Sequence, residues 1–391
     1  MILPFLTLPY LGRVLGAEHY GVVLMVIAVM QYLFVICDYG FNLSATRDIA
    51  IYREDKEKIN EIFSSIFYIK FVLVLLSFAI LTFCVFSING LNEHKTAYFL
   101  GFGIVIGQVL NPVWLFQGME KMKYMTWVNI IAKGTFTALI FVFIRVEEDY
   151  LKVPLLYSLG FLIGGLFSMY FAFKFFKIKW IKPNLYVIKN MVKHSTQYFL
   201  SRSAATLYTT SNTIVAGLAL GNYYAGIFGA AEKLFMAMTV IYNPLGDALY
   251  PYMAKNRNIK LYKRIFIMVM VLNTLVATLM FIYSDQIVLL IFGEEFRESI
   301  KIFELFCLLV LIFVPTVMLG YPFLGALGKE KHANYSVVFA SLIHLVLLAV
   351  LFNSLTIYKI LYLLIFTQTI VFVVRLIGSK ILWKEIKTNM S

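Results

Sequence analysis

The fold class this sequence predicts is an all-α integral membrane protein: a twelve-helix bundle, its first helix truncated, in two lobes about a pseudo-two-fold axis along the membrane normal. Three observations predict it. Of 391 residues, 61% are hydrophobic and only 14% charged, where a soluble chain carries roughly 25% charged residues. Apolar runs long enough to cross a bilayer, about 20 residues each, recur from end to end. A glycine pattern in the first half returns in the second.

The spans read in order as residues 20–44, 62–86, 97–117, 126–144, 154–176 and 197–220, then 225–254, 265–283, 300–324, 334–352 and 360–381. The apolar start at 1–11 is too short to cross. It also lacks the charged n-region and small-residue cleavage site of a signal peptide. The expectation is a first span that has lost its N-terminal half, so that the intact protein has twelve. Cys37, Cys84 and Cys307 all lie in apolar spans and read as small core residues. His19, His94, His194, His332 and His344 are scattered, and no metal site or other cofactor is expected.

The net charge of +13 does not point to nucleic acid, because of where the basic residues fall. Alternating outward from the second span, one side collects Arg47, Arg53, Lys56 and Lys58, then Lys121 and Lys123, then the stretch from Lys174 to Lys193. Lys255, Arg257, Lys260, Lys263 and Arg264 follow on that side, with Lys329, Lys331, Arg375, Lys380, Lys384 and Lys387. The other side holds Arg13, Lys95, Arg145, Lys152, Arg297, Lys301 and Lys359. This is the positive-inside signature. It predicts a multi-pass membrane protein with both termini cytoplasmic, its basic loops touching anionic membrane lipids.

Gly12, Gly16 and Gly21 recur as Gly217, Gly221 and Gly226, and the same offset sets Asp38 opposite Asn243. Phe116-Gln117-Gly118 has a similar echo in Phe323-Leu324-Gly325. An offset of six spans, an even number, predicts parallel repeats. The expected lobes are residues 1–183 and 184–391, joined by a basic linker broken at Pro183.

Polar residues inside apolar spans mark the candidate site, since they are costly unless paired or facing a wet cavity. Arg202, Thr206, Thr209 and Thr213 share one helix face, as do Glu232, Thr239, Asn243 and Asp247; Gln31 and Asp38 form a matching stripe. Lys70, Lys133 and Arg202 lie near the cytoplasmic ends of their spans. They either snorkel to the interface or form a cationic vestibule for an anionic headgroup. The threonines either bond sugar hydroxyls or join helices. Asp38, Glu232, Asn243 and Asp247 either bind and release a proton or sodium, or pair structurally with Lys70, Lys133 or Lys233.

Pro9-Tyr10-Leu11-Gly12-Arg13-Val14-Leu15-Gly16, followed by Tyr20-Gly21, resembles the opening of the O-antigen flippase (Wzx) family. Asp38-Tyr39-Gly40-Phe41-Asn42-Leu43-Ser44-Ala45-Thr46-Arg47-Asp48-Ile49-Ala50 is similar to the same family. So is Asn111-Pro112-Val113-Trp114-Leu115-Phe116-Gln117-Gly118-Met119-Glu120-Lys121-Met122. That family belongs to the multidrug/oligosaccharidyl-lipid/polysaccharide (MOP) exporter superfamily. The resemblance implies a non-enzymatic transporter of O-antigen and lipopolysaccharide or capsule biosynthesis. Its cargo would be undecaprenyl-diphosphate-linked oligosaccharide, moved from the cytoplasmic to the periplasmic leaflet by alternating access coupled to a proton or sodium gradient. It also implies a cationic cavity, for which Arg13, Arg47, Lys70, Lys133, Arg202 and Lys233 are the headgroup candidates, and other polysaccharide-assembly membrane proteins as partners. The short first span departs from the pattern.

Two rival readings remain. One is another MOP-type exporter, either a peptidoglycan-precursor flippase or a drug/cation antiporter. The other is a polytopic O-antigen polymerase or glycosyltransferase, which would need a sizeable periplasmic loop bearing catalytic carboxylates or arginines. The outer acidic clusters here, Glu147-Glu148-Asp149 and Glu294-Glu295, are short and sit beside span ends.

Overall fold

The computed structural model describes residues 3–388, without the side chains of residues 3–5, 201, 202, 204, 205, 207, 243 and 384–388. Helices make up nearly all of it, and no strand occurs among the described residues. Nine helical segments there are long and apolar enough to cross a membrane, ten when a bent pair counts as one span. A further helix, α10, has the length but mixes Lys189, Lys193, His194, Arg202 and several threonines into its run.

The chain begins with α1 (Leu3–Asp38), α2 (Phe41–Ile51), α3 (Lys56–Ser87) and the short α4 (Asn89–Asn92). Next come α5 (Lys95–Gly101), α6 (Gly103–Val109), α7 (Val113–Gly118), α8 (Met122–Phe143) and α9 (Lys152–Phe175). The third expected span is thus three helical pieces, broken hardest at Pro112, which lacks the N–H a continuous helix needs. The linker is shorter than its basic composition suggests, since α10 (Leu185–Leu220) already begins inside it, capped by Asn184.

The second half continues with α11 (Asn222–Val240), α12 (Asn243–Asn256), α13 (Ile259–Ile282) and α14 (Ser284–Phe292). It ends with α15 (Ser299–Leu319), a π-helical segment (Gly320–Gly325), α16 (Glu330–Leu351) and α17 (Ile357–Thr388). Two expectations are corrected here. The span at 225–254 is two helices, because the helix ends at Val240 and restarts beside Pro244. The stripe from Glu232 to Asp247 therefore does not run along one helix. The apolar start, by contrast, is a helical piece of its own within α1, joined at the kink of Gly16 to the helix that follows.

That kink carries the repeat. Gly16 sits at φ 66°, ψ 174°, and Gly221, between α10 and α11, at φ 99°, ψ 165°. Both lie in a backbone region essentially closed to residues with a Cβ. After each kink come a helix, a short helix beyond a break and a long helix, and each half ends in two long helices; between them the first half has the short α5, α6 and α7 where the second has α14, the long α15 and the π-helical segment. A methyl added at Gly221 would meet no atom within 4 Å, so an alanine there is strained by its backbone alone. Gly221→Ala is expected to cost about 1–3 kcal/mol, read as a lower melting temperature in detergent. Wild-type stability in that variant would remove the requirement.

The packing forms two units, residues 1–223 and 224–391, and α10 packs with the first. The first unit has a hydrophobic core where α2, α3 and α7 meet, around Phe41, Ile49, Phe63, Ile66, Trp114 and Phe116. Phe63 lies 5.7 Å from Trp114, and Trp180 closes edge-on over Phe63 at 5.3 Å. Gly160 and Gly164 press against α8, and Gly107 meets the backbone of α9 at Phe161. These glycines make close helix crossings. In the second unit Tyr262 donates to the Met318 carbonyl at 2.9 Å and stacks near Phe323, tying α13 to the end of α15. Ser299 donates to the Ile227 carbonyl at 2.8 Å, and Asn273 to that of Val310 at 3.2 Å. Large apolar side chains such as Phe71, Leu75, Leu272, Leu275, Leu342 and Val346 point outward, as lipid-facing positions require.

Candidate functional site

The most unusual chemistry of the first unit lies where α1 stops. Tyr39 (φ 46°) and Gly40 (φ 78°) turn left-handed in succession, and α2 leaves in a new direction. The turn seats on α10. Tyr39 stacks on Phe199 at 4.7 Å, Ser44 Oγ meets Ser195 Oγ at 2.7 Å, and a Cβ on Gly40 would fall 2.7 Å from the Phe199 nitrogen. Asp38, the last residue of α1, is held inside by this arrangement.

Its partner is Lys70 of α3. Each side chain is 1% exposed, and Lys70 Nζ stands 3.4 Å from Asp38 Oδ1. That is long for a charge-assisted hydrogen bond, which closes to about 2.7–2.9 Å. The other carboxylate oxygen, Oδ2, is buried with no hydrogen-bond partner. Cys37 and Ser77 lie alongside, Sγ to Oγ 3.3 Å. One oxygen of this buried carboxylate thus keeps its acceptor capacity unused.

The other sequence candidates are placed as follows. Arg13 on α1 and Arg47 on α2 are exposed, and Lys133 on α8 and Lys233 on α11 are half-buried. On α10, Thr213 is buried, Thr206 half-buried and Thr209 exposed, with its hydroxyl donating to the Thr206 carbonyl at 3.2 Å. Glu232 on α11 is buried and Asp247 on α12 exposed. The side chains of Arg202 and Asn243 lie outside the described residues. Of these candidates, the contacts described here bring Asp38 and Lys70 together.

Near Arg47, α2 and α7 lock together. Thr46 Oγ1 donates to Gln117 Oε1 at 3.2 Å, Arg53 donates to the Gly118 carbonyl at 3.1 Å, and a Cβ on Gly118 would overlap Ile49. Arg53 also bridges to Glu120 at 2.8 Å and holds that carboxyl below its usual range. The second and third sequence motifs are thus one packed corner.

One buried cation escaped the sequence reading. Arg375, grouped there with the basic loop residues, is buried in the second unit. Its guanidinium donates to Ser336 Oγ at 3.1 Å, to the Thr316 carbonyl at 2.8 Å and to the Ala333 carbonyl at 3.0 Å. It fills the space left by Gly320, where a Cβ would fall 2.5 Å from Nη1. The available signal was an arginine embedded in Val373-Val374-Arg375-Leu376-Ile377.

A model of the family described as polysaccharide biosynthesis protein matches residues 1–257. The chain belongs to that family. All three motifs of the sequence resemblance fall within the matched residues. Two relatives named "Putative O-antigen transporter" bear out the resemblance. The one from Escherichia coli (strain K12) is 31% identical over 64% of this chain, and the match spans 60% of that relative's length. The one from Shigella dysenteriae is 28% identical over 88% of this chain and 87% of its own. Among solved structures, an inward-facing multidrug resistance MATE family transporter of the MOP superfamily superposes with TM-score 0.76. It is 14% identical and covers 98% of this chain and 94% of its own. That likeness shows the fold: this member of the polysaccharide biosynthesis family has the architecture of that MOP-superfamily structure.

Proposed function

We propose that the protein is a flippase that carries undecaprenyl-diphosphate-linked oligosaccharide from the cytoplasmic to the periplasmic leaflet of the inner membrane. The observation that carries this reading is a polysaccharide biosynthesis family match over residues 1–257 on a MOP-type fold. The relatives' names point to O-antigen as cargo. The physics suits such a cargo. A glycan is too polar to cross lipid unaided, a diphosphate seeks cationic donors, and the polyprenyl tail can stay in the bilayer throughout.

In this reading the lobes are residues 1–183 and 184–391, both termini are cytoplasmic, and alternating access moves the headgroup. Arg13, Arg47, Lys133, Arg202 and Lys233 meet the diphosphate, while Lys70 is engaged by Asp38. Thr206, Thr209 and Thr213 line the glycan's path. Asp38, with its idle Oδ2, takes up a proton or sodium ion, and Glu232, Asn243 and Asp247 are the matching groups of the second half. Other polysaccharide-assembly membrane proteins hand the cargo on.

The test is transport in sealed vesicles. Lipid-diphosphate oligosaccharide is loaded in one leaflet and its exposure to an impermeant lectin is followed. Wild type is expected to expose it in a protein-dependent way, and Arg202→Ala and Glu232→Gln to slow exposure by at least about ten-fold. Undiminished exposure in the variants discards those two residues, and no exposure by wild type discards the flippase.

A further inference from the structure

Two of the motif asparagines, Asn42 and Asn111, do nothing in the scheme above, yet they line one cavity. A cavity of about 250 Å³ lies within the first unit, between α2, α6, α8 and α9 and the break before α7. Its polar lining is four carboxamides, Asn42, Gln108, Asn111 and Asn129, and its aromatic lining is Phe34 and Phe161. Among the described residues, no ionisable side chain lines it. Two of the amides have described surroundings, and one of them is oriented by a partner. Ser168 Oγ donates to Asn111 Oδ1 at 2.7 Å, so the Asn111 NH2 group is the donor left for the cavity. Asn42 Oδ1 is buried and accepts no hydrogen bond.

The cavity therefore offers neutral groups that both donate and accept, opposite two aromatic rings. An inorganic cation would want carboxylate oxygens and a far smaller space. An apolar ligand would strand the amides unsatisfied. A ring that carries hydroxyls on its edges and C–H groups on its faces satisfies both linings. The size limits it to one such ring, since sites for drug-sized ligands run to roughly 300–1,000 Å³. We propose that this cavity is a monosaccharide subsite, which seats one neutral sugar of the cargo and reads its hydroxyl pattern. The choice of a sugar as ligand rests on the polysaccharide reading above and deepens it.

The experiment uses the full chain in lipid nanodiscs and free neutral monosaccharides at up to tens of millimolar: a hexose, an N-acetylhexosamine and a 6-deoxyhexose. Acyclic sorbitol, sodium and potassium are the comparison ligands, and binding is read by saturation-transfer NMR and thermal shift. At least one cyclic sugar is expected to bind saturably and better than sorbitol. Asn42→Leu and Asn129→Ala should each weaken it by about five-fold, the effect of losing one hydrogen bond. Asn129 is exposed on α8, so its variant folds even if Asn42→Leu does not. The subsite is overturned if no sugar outperforms sorbitol, or if both variants bind as wild type does. It is equally overturned if the variants abolish a sodium or potassium response instead. Wild-type vesicles assayed in parallel keep the two readings apart. Sugar binding without transport condemns the flippase, and transport without sugar binding condemns only the subsite.

Discussion

Lys70→Met alone is expected to destabilise the protein by about 3–5 kcal/mol, whereas Lys70→Met combined with Asp38→Leu should recover most of that loss. The asymmetry follows from burial. Both side chains are 1% exposed, so removing the ammonium strands a carboxylate in a medium that solvates it poorly. Breaking such a pair typically costs about 3–5 kcal/mol, while replacing both members by apolar groups is often neutral or stabilising. The 3.4 Å separation and the unpartnered Oδ2 mean that the pair is not optimised for cohesion, which sharpens the contrast. Urea or thermal unfolding in detergent would measure it. A single variant as stable as wild type, or a double variant no better than the single, would refute the argument. Transport by the stable double variant then separates roles. If the pair is structural, transport survives; if Asp38 carries the coupling ion, transport becomes indifferent to the gradient.

Arg375→Met should cost about 2–4 kcal/mol, and Arg375→Lys should recover little of it. Three donors of one planar group reach Ser336 Oγ and the Thr316 and Ala333 carbonyls, on two helices. Hydrogen bonds from a charged group contribute about 1.5–3 kcal/mol each, and desolvating the guanidinium offsets part of their sum. A lysine keeps the charge but not the fork. The bond to Thr316 lies just before the π-helical segment, so the expected local signature is loosening there. Limited proteolysis near Gly328, which sits at φ 84° in the following turn, would report it alongside the melting temperature. A lysine variant indistinguishable from wild type would show that charge alone suffices.

What the sequence made legible follows from the reach of each signal. Apolar run length located the long helices, and glycine spacing paired Gly16 with Gly221, although it did not show that both are kinks. Helix breaks were less visible, because hydropathy does not register a change of direction. Periodicity sorts residues onto faces of one helix but does not say which faces meet. Lys70 was thus open to snorkelling, headgroup binding or pairing, and the described contact is with Asp38, 32 positions away. Counting positive charge by the nearest loop misassigned Arg375, since the count ignores how deep in the helix a residue sits. The amide cavity was invisible for the same reason: Asn42, Gln108, Asn111 and Asn129 come from different elements and share no spacing.

The paired kinks have a consequence for descent. A joint that only glycine can occupy is closed to drift: neighbouring positions can wander freely, but this one changes only at the expense of the bend. Two such joints 205 residues apart behave as fixed landmarks in a chain whose halves have otherwise diverged. They mark where a doubled ancestor would be cut. An engineer who sought to rebuild the symmetric parent, by grafting one half's sequence onto the other, would set the register by Gly16 and Gly221 rather than by the helices between them.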